Sequence, residues 1–267
     1  MSTVGQVVHT LPEGEDVLGV TSLADEVYVL RRKERNQVEV YDVISYRLQS
    51  RLTVPTNIRW FADMTSCEHY RCVYIAHVEC IHRLDVQGAA TRWAVNDKPR
   101  GLSVNAAHNV LVTCIGVRKI KEFSSHGNLL RELTLPDDVI HPWHTIQTRS
   151  GEFIVCHGYH GEAVHRVCKI SADGRHIIKS HGGQRGSDIG RYDVPRHLAV
   201  DNNEFVFVVD VINRRVTLLS PTLVYIRQVV SLKGRPDRLY LDIRRRLLYV
   251  NDNEYLTGRV VVFNVIC

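Results

Sequence analysis

The stretch VPRHLAVDNNEFVFVVDVINRRVTLL (Val194–Leu219) decides the fold. A proline opens a short apolar run, polar residues Asp201 to Glu204 interrupt it, Phe205 to Asp210 form a second β-rich run, and a turn at Ile212–Arg214 leads into a third. Runs of four to eight residues rich in Val, Phe and Leu, bounded by Asn and Asp, read as strands joined by tight turns. The pattern recurs along the chain. PRGLSV (Pro99–Val104), PWHTI (Pro142–Ile146) and RPDRLYLD (Arg235–Asp242) share the opening, and EDVLGV (Glu15–Val20) and TNIRWFAD (Thr56–Asp63) are degenerate copies.

About a dozen residues after each opening comes a second strand: VYVL at Val27, CVYIAH at Cys72, VLVTCI at Val110, FIVCHG at Phe153, FVFVVD at Phe205 and LLYVND at Leu247. Third strands begin at Gln37, Cys80, Lys119, Arg166, Arg215 and Arg259, and more polar fourth strands at Arg51, Ala90, Leu129, His176 and Tyr225. Six units at a mean of about 45 residues, each of four short strands, predict an all-β, six-bladed β-propeller of four-stranded antiparallel blades occupying residues 1–267 as a single domain. The sixth unit lacks a fourth strand. VGQVVHTL (Val4–Leu11) supplies one, so the N-terminal strand is expected to pair with the last blade and close the ring, leaving no open sheet edge.

The fifth unit resembles an NHL repeat, on Pro195 at the first strand, Asp210 ending the second, and Asn213 with Arg214 or Arg215 entering the third. GEFIVCHGYHGEAVHRV keeps the spacing with His157 in place of the Asp, and LLYVNDNEYLTGRVVVF has Asn251 there. The chain has no Trp-Asp dipeptide and one Gly-Gly pair, which sets WD40 and kelch patterns aside. Within NHL proteins it is most similar to the C-terminal propeller of tripartite-motif (TRIM-NHL) proteins. That resemblance implies a recognition module for RNA or protein. It carries no RING or B-box array, so ligase activity would lie in another part of such a protein.

A formal charge of +5 on 267 residues is modest for a nucleic-acid binder, so charge placement matters more than its sum. The loops entering first strands and the turns between second and third strands share one face, the top face. It collects Arg31, Arg32, Lys33, Arg35, Arg59, Lys98, Arg100, Arg118, Arg196, Arg214, Arg235 and Arg238, diluted by acidic neighbours such as Asp97, Asp193, Asp210 and Asp237. Trp60, Trp143, His144, Tyr159 and His197 are candidate flat platforms. Arginines for phosphates beside rings for bases suit single-stranded RNA, so a basic top face binding single-stranded RNA is the first expectation. A protein partner is the second. The bland alternative pairs these arginines with carboxylates and plugs the channel with a tryptophan.

An enzyme ranks third. HVECIH (His77–His82) and HGYHGEAVH (His157–His165) hold zinc-type donors, and Cys80 and His82 share a strand face, whereas His157, His160 and His165 span a turn. The amidating-lyase propellers bind zinc through histidines of several blades, and His77, His144, His157 and His197 could imitate that set. Calcium, as in lactonase propellers, finds oxygens only at Asp210, Asn213, Asn251 and Asp252. No Gly-x-Ser-x-Gly elbow occurs, and HGGQRGSDIG (His181–Gly190) reads as a mobile connection and not a phosphate loop. No catalytic residue, cofactor or metal is therefore expected. Seven cysteines, several in apolar runs, read as reduced thiols. The opening MSTVGQVVHT lacks a secretory pattern and no run approaches a membrane span, which predicts a cytoplasmic protein without a membrane partner.

Overall fold

The computed structural model describes residues 5–32, 37–55 and 61–265. They form a ring of six antiparallel sheets, five with four strands in sequential order and the sixth with three strands from the end of the chain joined by two short N-terminal strands, and the described residues contain no helix. The first, innermost strands are Val17–Leu23, Phe61–Cys67, Pro99–Val104, Pro142–Gln147, Pro195–Val200 and Leu239–Asp242. The second are Glu26–Arg31, Cys72–His77, Val110–Cys114, Phe153–His157, Val206–Asp210 and Leu247–Glu254. The third are Gln37–Asp42, Cys80–Asp85, Lys119–Phe123, Val164–Ile170, Arg215–Leu219 and Thr257–Asn264.

Closure follows the expectation. Gln6–Thr10 pairs antiparallel with the third strand of the sixth blade, from Gln6 opposite Asn264 to Thr10 opposite Val261. A short second segment, Gly14–Glu15, pairs with the tip of the same strand. The N-terminal chain thus covers the edge that the last blade would otherwise expose, removing a template for intermolecular pairing.

The apolar core lies between blades. Six clusters among the described residues each straddle one blade boundary. In the fifth blade Val206 and Val208 pack toward the fourth, and Phe207 and Val209 toward the sixth. A strand enclosed on both faces needs apolar residues at every position, which is why FVFVV carries no polar alternation. Fourth strands face water. Leu48–Thr53 and Leu129–Thr134 are almost wholly exposed.

The NHL-like residues act as a clip. The Asp210 carboxylate accepts hydrogen bonds from the Asp193 amide (2.8 Å), Asn213 Nδ2 (2.8 Å) and Arg215 Nε (2.8 Å). Burial pushes Asp210 up to about 6, against the pull of those three donors. Arg215, and not Arg214, is therefore the partner of this Asp. The sixth blade repeats the clip with Asp252, which accepts from the Gly234 amide (2.7 Å) and from Arg259 Nη2 (2.9 Å). Asp252, opposite Arg259 in the ladder, thus holds the place the sequence reading assigned to Asn251. Two further expectations change. His181–Gln184 belongs to the fourth strand of blade four, and the connection after it is anchored by Arg215 on the Ser187 and Arg191 carbonyls and by Arg185 on Asp193.

Candidate functional site

Where the first strands begin, the chain makes a register shift in five blades, between Val17 and Gly19, Phe61 and Asp63, Pro99 and Gly101, Pro142 and His144, and Pro195 and His197. A bulge re-aims successive side chains. In blades three and five the residue after the opening position, Arg100 or Arg196, goes to the rim of the top face, and the next residue goes to the channel axis. The sequence placed Arg100, His144, Arg196, His197 and Arg238 together on the top face. The structure separates two layers.

The axial layer is Gly19, Asp63, Gly101, His144, His197 and Arg238. Gly101 is obligatory, because a Cβ there would stand 2.3 Å from the Trp143 carbonyl oxygen and 2.9 Å from His144 Cα. Asp63 is the residue the sequence reading missed. Its carboxylate lies 3.0 Å from Arg238 Nε, accepts from the Leu102 amide at 2.8 Å, and is 3.3 Å from His197 Nε2. His144 Nε2 donates to the Leu102 carbonyl at 2.9 Å, and its ring lies against that of His197 with centroids 3.8 Å apart. Arg238 also donates to the carbonyls of Asp237 and Ala62.

Burial opposes the charge on Asp63, but the hydrogen bond from His197 and the Arg238 guanidinium hold the carboxyl well below the usual carboxylate range. Burial, reinforced by His197, pushes His144 down to about 3, and burial likewise lowers His197. Both imidazoles are therefore neutral and one ion pair, Asp63–Arg238, spans the axis. His144 and His197 also line a cavity of about 240 Å³ together with Thr65, Ser103 and Tyr240. Asp63, His144 and His197 bring ligand-type atoms within 4.8 Å of one another, but the guanidinium bound to Asp63 repels a cation there.

The rim layer is equally committed. Arg196 lies 4.5 Å above the Trp143 ring and bonds Asp237 at 2.6 Å. Trp143 is buried and donates through Nε1 to the Gly158 carbonyl, so neither Trp143 nor the buried His144 and His197 offers an open stacking face. Arg31 is a structural residue. Its guanidinium pairs with Glu39 at 2.6 Å and donates to the carbonyls of Pro12, Glu15 and Gly258. Arg32 pairs with Asp16, Arg118 with Asp137, and Arg214 donates to the Lys233 carbonyl. Arg100 is exposed. Arg59, Trp60, Lys33 and Arg35 lie outside the described residues.

The imagined histidine quartet does not assemble either. His157 sits 3.5 Å from Cys168 Sγ, His165 bridges the Tyr159 carbonyl and the Val194 amide, and His77 faces Cys80.

One feature of the top face had no signal in the repeat pattern. The second and third strands of blade six are each eight residues long and end in a two-residue turn, Tyr255–Leu256, with φ of 54° and 77°. Such turns favour Asn-Gly, because bulky side chains are strained at positive φ. Here the two side chains are 99% and 71% exposed.

No family model matches the chain, and no curated protein sequence does. Solved structures share its fold. The β-propeller domain of Cps50 (Swd1) from Myceliophteria thermophila superposes with a TM-score of 0.67 at 10% identity, covering 98% of this chain and 100% of that one. Virginiamycin B lyase from Staphylococcus aureus gives 0.62 at 12% identity, over 96% and 88%. Kuenenia stuttgartiensis hydrazine synthase gives 0.65 at 12% identity, over 97% and 98%. Identities this low show a shared β-propeller fold and leave the NHL likeness as a likeness of repeats.

Proposed function

We propose that the protein is a non-catalytic recognition propeller whose top face holds a protein partner. The Tyr255–Leu256 turn carries this reading, since it places two large apolar side chains in water at a conformational cost that folding does not require. Elsewhere on the top face, in the turns of blades three and four and the connection to blade five, Val117, Ile140, Tyr159 and Ile189 are also exposed, and several arginines of the face are already neutralised by Asp16, Asp137 and Asp237. Aromatic and aliphatic anchors set in a polar surround suit protein recognition. Single-stranded RNA, the first expectation from sequence, needs uncommitted cations and open rings. Of the candidate arginines described, only Arg100 and Arg235, both exposed, make no side-chain hydrogen bond or ion pair.

A photo-reactive residue at Tyr255, compared with one at Ile44, an 83% exposed position on the opposite face, tests the reading in cell extract. Adducts specific to position 255 that survive ribonuclease and vanish with protease are expected. Adducts that disappear with ribonuclease, together with RNA retention that weakens steeply as salt rises, would replace protein by RNA. Equal labelling from both positions removes the top face as the site.

A further inference from the structure

Blade two carries a second cluster, away from the channel and unused by the recognition reading. A two-residue connection, Val78–Glu79, joins the strands Cys72–His77 and Cys80–Asp85. His77 is the last residue before that turn, Cys80 the first after it, and His82 follows on the same strand face as Cys80, because side chains two apart on a strand point the same way. Cys80 Sγ lies 3.6 Å from His77 Nδ1 and 3.4 Å from His82 Nε2, and all the donor atoms lie within 4.8 Å of one another.

These separations match a coordination sphere better than a packing contact. Zinc bound tetrahedrally to sulfur at about 2.3 Å and to imidazole nitrogen at about 2.0–2.1 Å sets sulfur–nitrogen edges of about 3.5 Å. We propose that His77, Cys80 and His82 form a zinc site, a two-histidine, one-cysteine set with its fourth position toward solvent. Thiolate and imidazole together select zinc over calcium or magnesium, which take oxygen.

The surroundings agree with this chemistry. His77 and His82 are buried, which orients their rings, and Cys80 is partly exposed, which gives an ion a way in. Burial, with His77 and Arg92 adding to it, pushes His82 down to about 4, so its lone pair is available throughout the neutral range. Burial raises the Cys80 thiol, Arg92 lowers it and Glu79 raises it. The thiol therefore holds its proton in the metal-free protein and releases it as the Zn–S bond forms, one proton passing to solvent per ion bound. The site clamps the turn end of a hairpin whose strands belong to the clusters between blades one and two and between blades two and three, so a bound ion stabilises the folded chain by mass action.

The test uses the full chain, stripped with a chelator and titrated with Co²⁺. Saturation at one ion per chain is expected, with a thiolate-to-cobalt charge-transfer band, the visible bands of a tetrahedral site and displacement by Zn²⁺. Cys80→Ser should abolish the charge-transfer band and lower zinc affinity by at least about a hundredfold, and His77→Asn should weaken binding while the cysteine remains. Each variant is melted without metal first. A zinc-dependent rise in melting temperature in the parent, absent in a Cys80→Ser protein that melts like the metal-free parent, supports the site even if His82 proves intolerant of substitution. No thiolate band in the parent, or an unchanged band in Cys80→Ser, overturns it and leaves a Cys–His hydrogen-bonded contact.

Discussion

At the residue scale, Asp63 is the side chain on which the axis of the ring depends. It sits in FAD, a degenerate copy of the repeat opening, and its role comes from three partners contributed by blades three, five and six. Removing one member of a buried ion pair leaves the other charged and unpaired. Asp63→Ala is expected to cost about 3–5 kcal/mol, and adding Arg238→Met should recover most of it; a urea-denaturation double-mutant cycle measures the coupling. The neighbouring His144 predicts a pH dependence. The unfolded imidazole takes up its proton near 6.5 and the folded one only near 3. Between those values the unfolded chain binds more protons, so stability falls as pH falls, by about 2 kcal/mol between about pH 7 and pH 5. Asp63, with its folded pKa depressed, acts in the same direction below its unfolded value of 3.8. His144→Gln should flatten the upper part of this dependence in the same measurement.

At the scale of elements, the first strands show which parts of the repeat do structural work and which are free to vary. The proline-led opening was legible because Pro tolerates a strand start, where its missing N–H is not needed. The bulge after it was not legible, since a one-residue register shift leaves no compositional mark. That shift moved Arg196 to the rim and His197 to the axis. Gly101→Ala would drive a Cβ into the Trp143 carbonyl and should lower stability by about 1–3 kcal/mol, read as a lowered melting temperature. The Tyr255–Leu256 turn predicts the reverse pairing of stability and function. Replacing it with Asn-Gly, residues at ease at positive φ, should stabilise the protein by about 1 kcal/mol while abolishing partner capture. A variant that gains stability and still captures its partner would show that the turn is not the anchor.

At the scale of the whole molecule, ring closure ties the two ends of the chain together. Gln6–Thr10 covers the last blade, Leu11 is buried between blades six and one, and Arg31 binds two carbonyls of the closing segment, Pro12 and Glu15, and one of the last strand, Gly258. Deleting residues 1–11 should therefore expose the sheet edge and give aggregation or loss of a cooperative melt, read by light scattering and calorimetry. Arg31→Met should destabilise by about 3–5 kcal/mol, because it strands Glu39 and the three carbonyls at once. The sequence by itself determined the number of blades, the order of strands and the closing partner, because hydrophobic runs, turn residues and their spacing are local properties that repeat. Only the tertiary structure decided what the charged and ring-bearing residues do. Asp63 meets Arg238 across 175 residues of chain, and Trp143 lies beneath Arg196. Such encounters depend on bulges and on the angle between neighbouring blades, which no single repeat encodes.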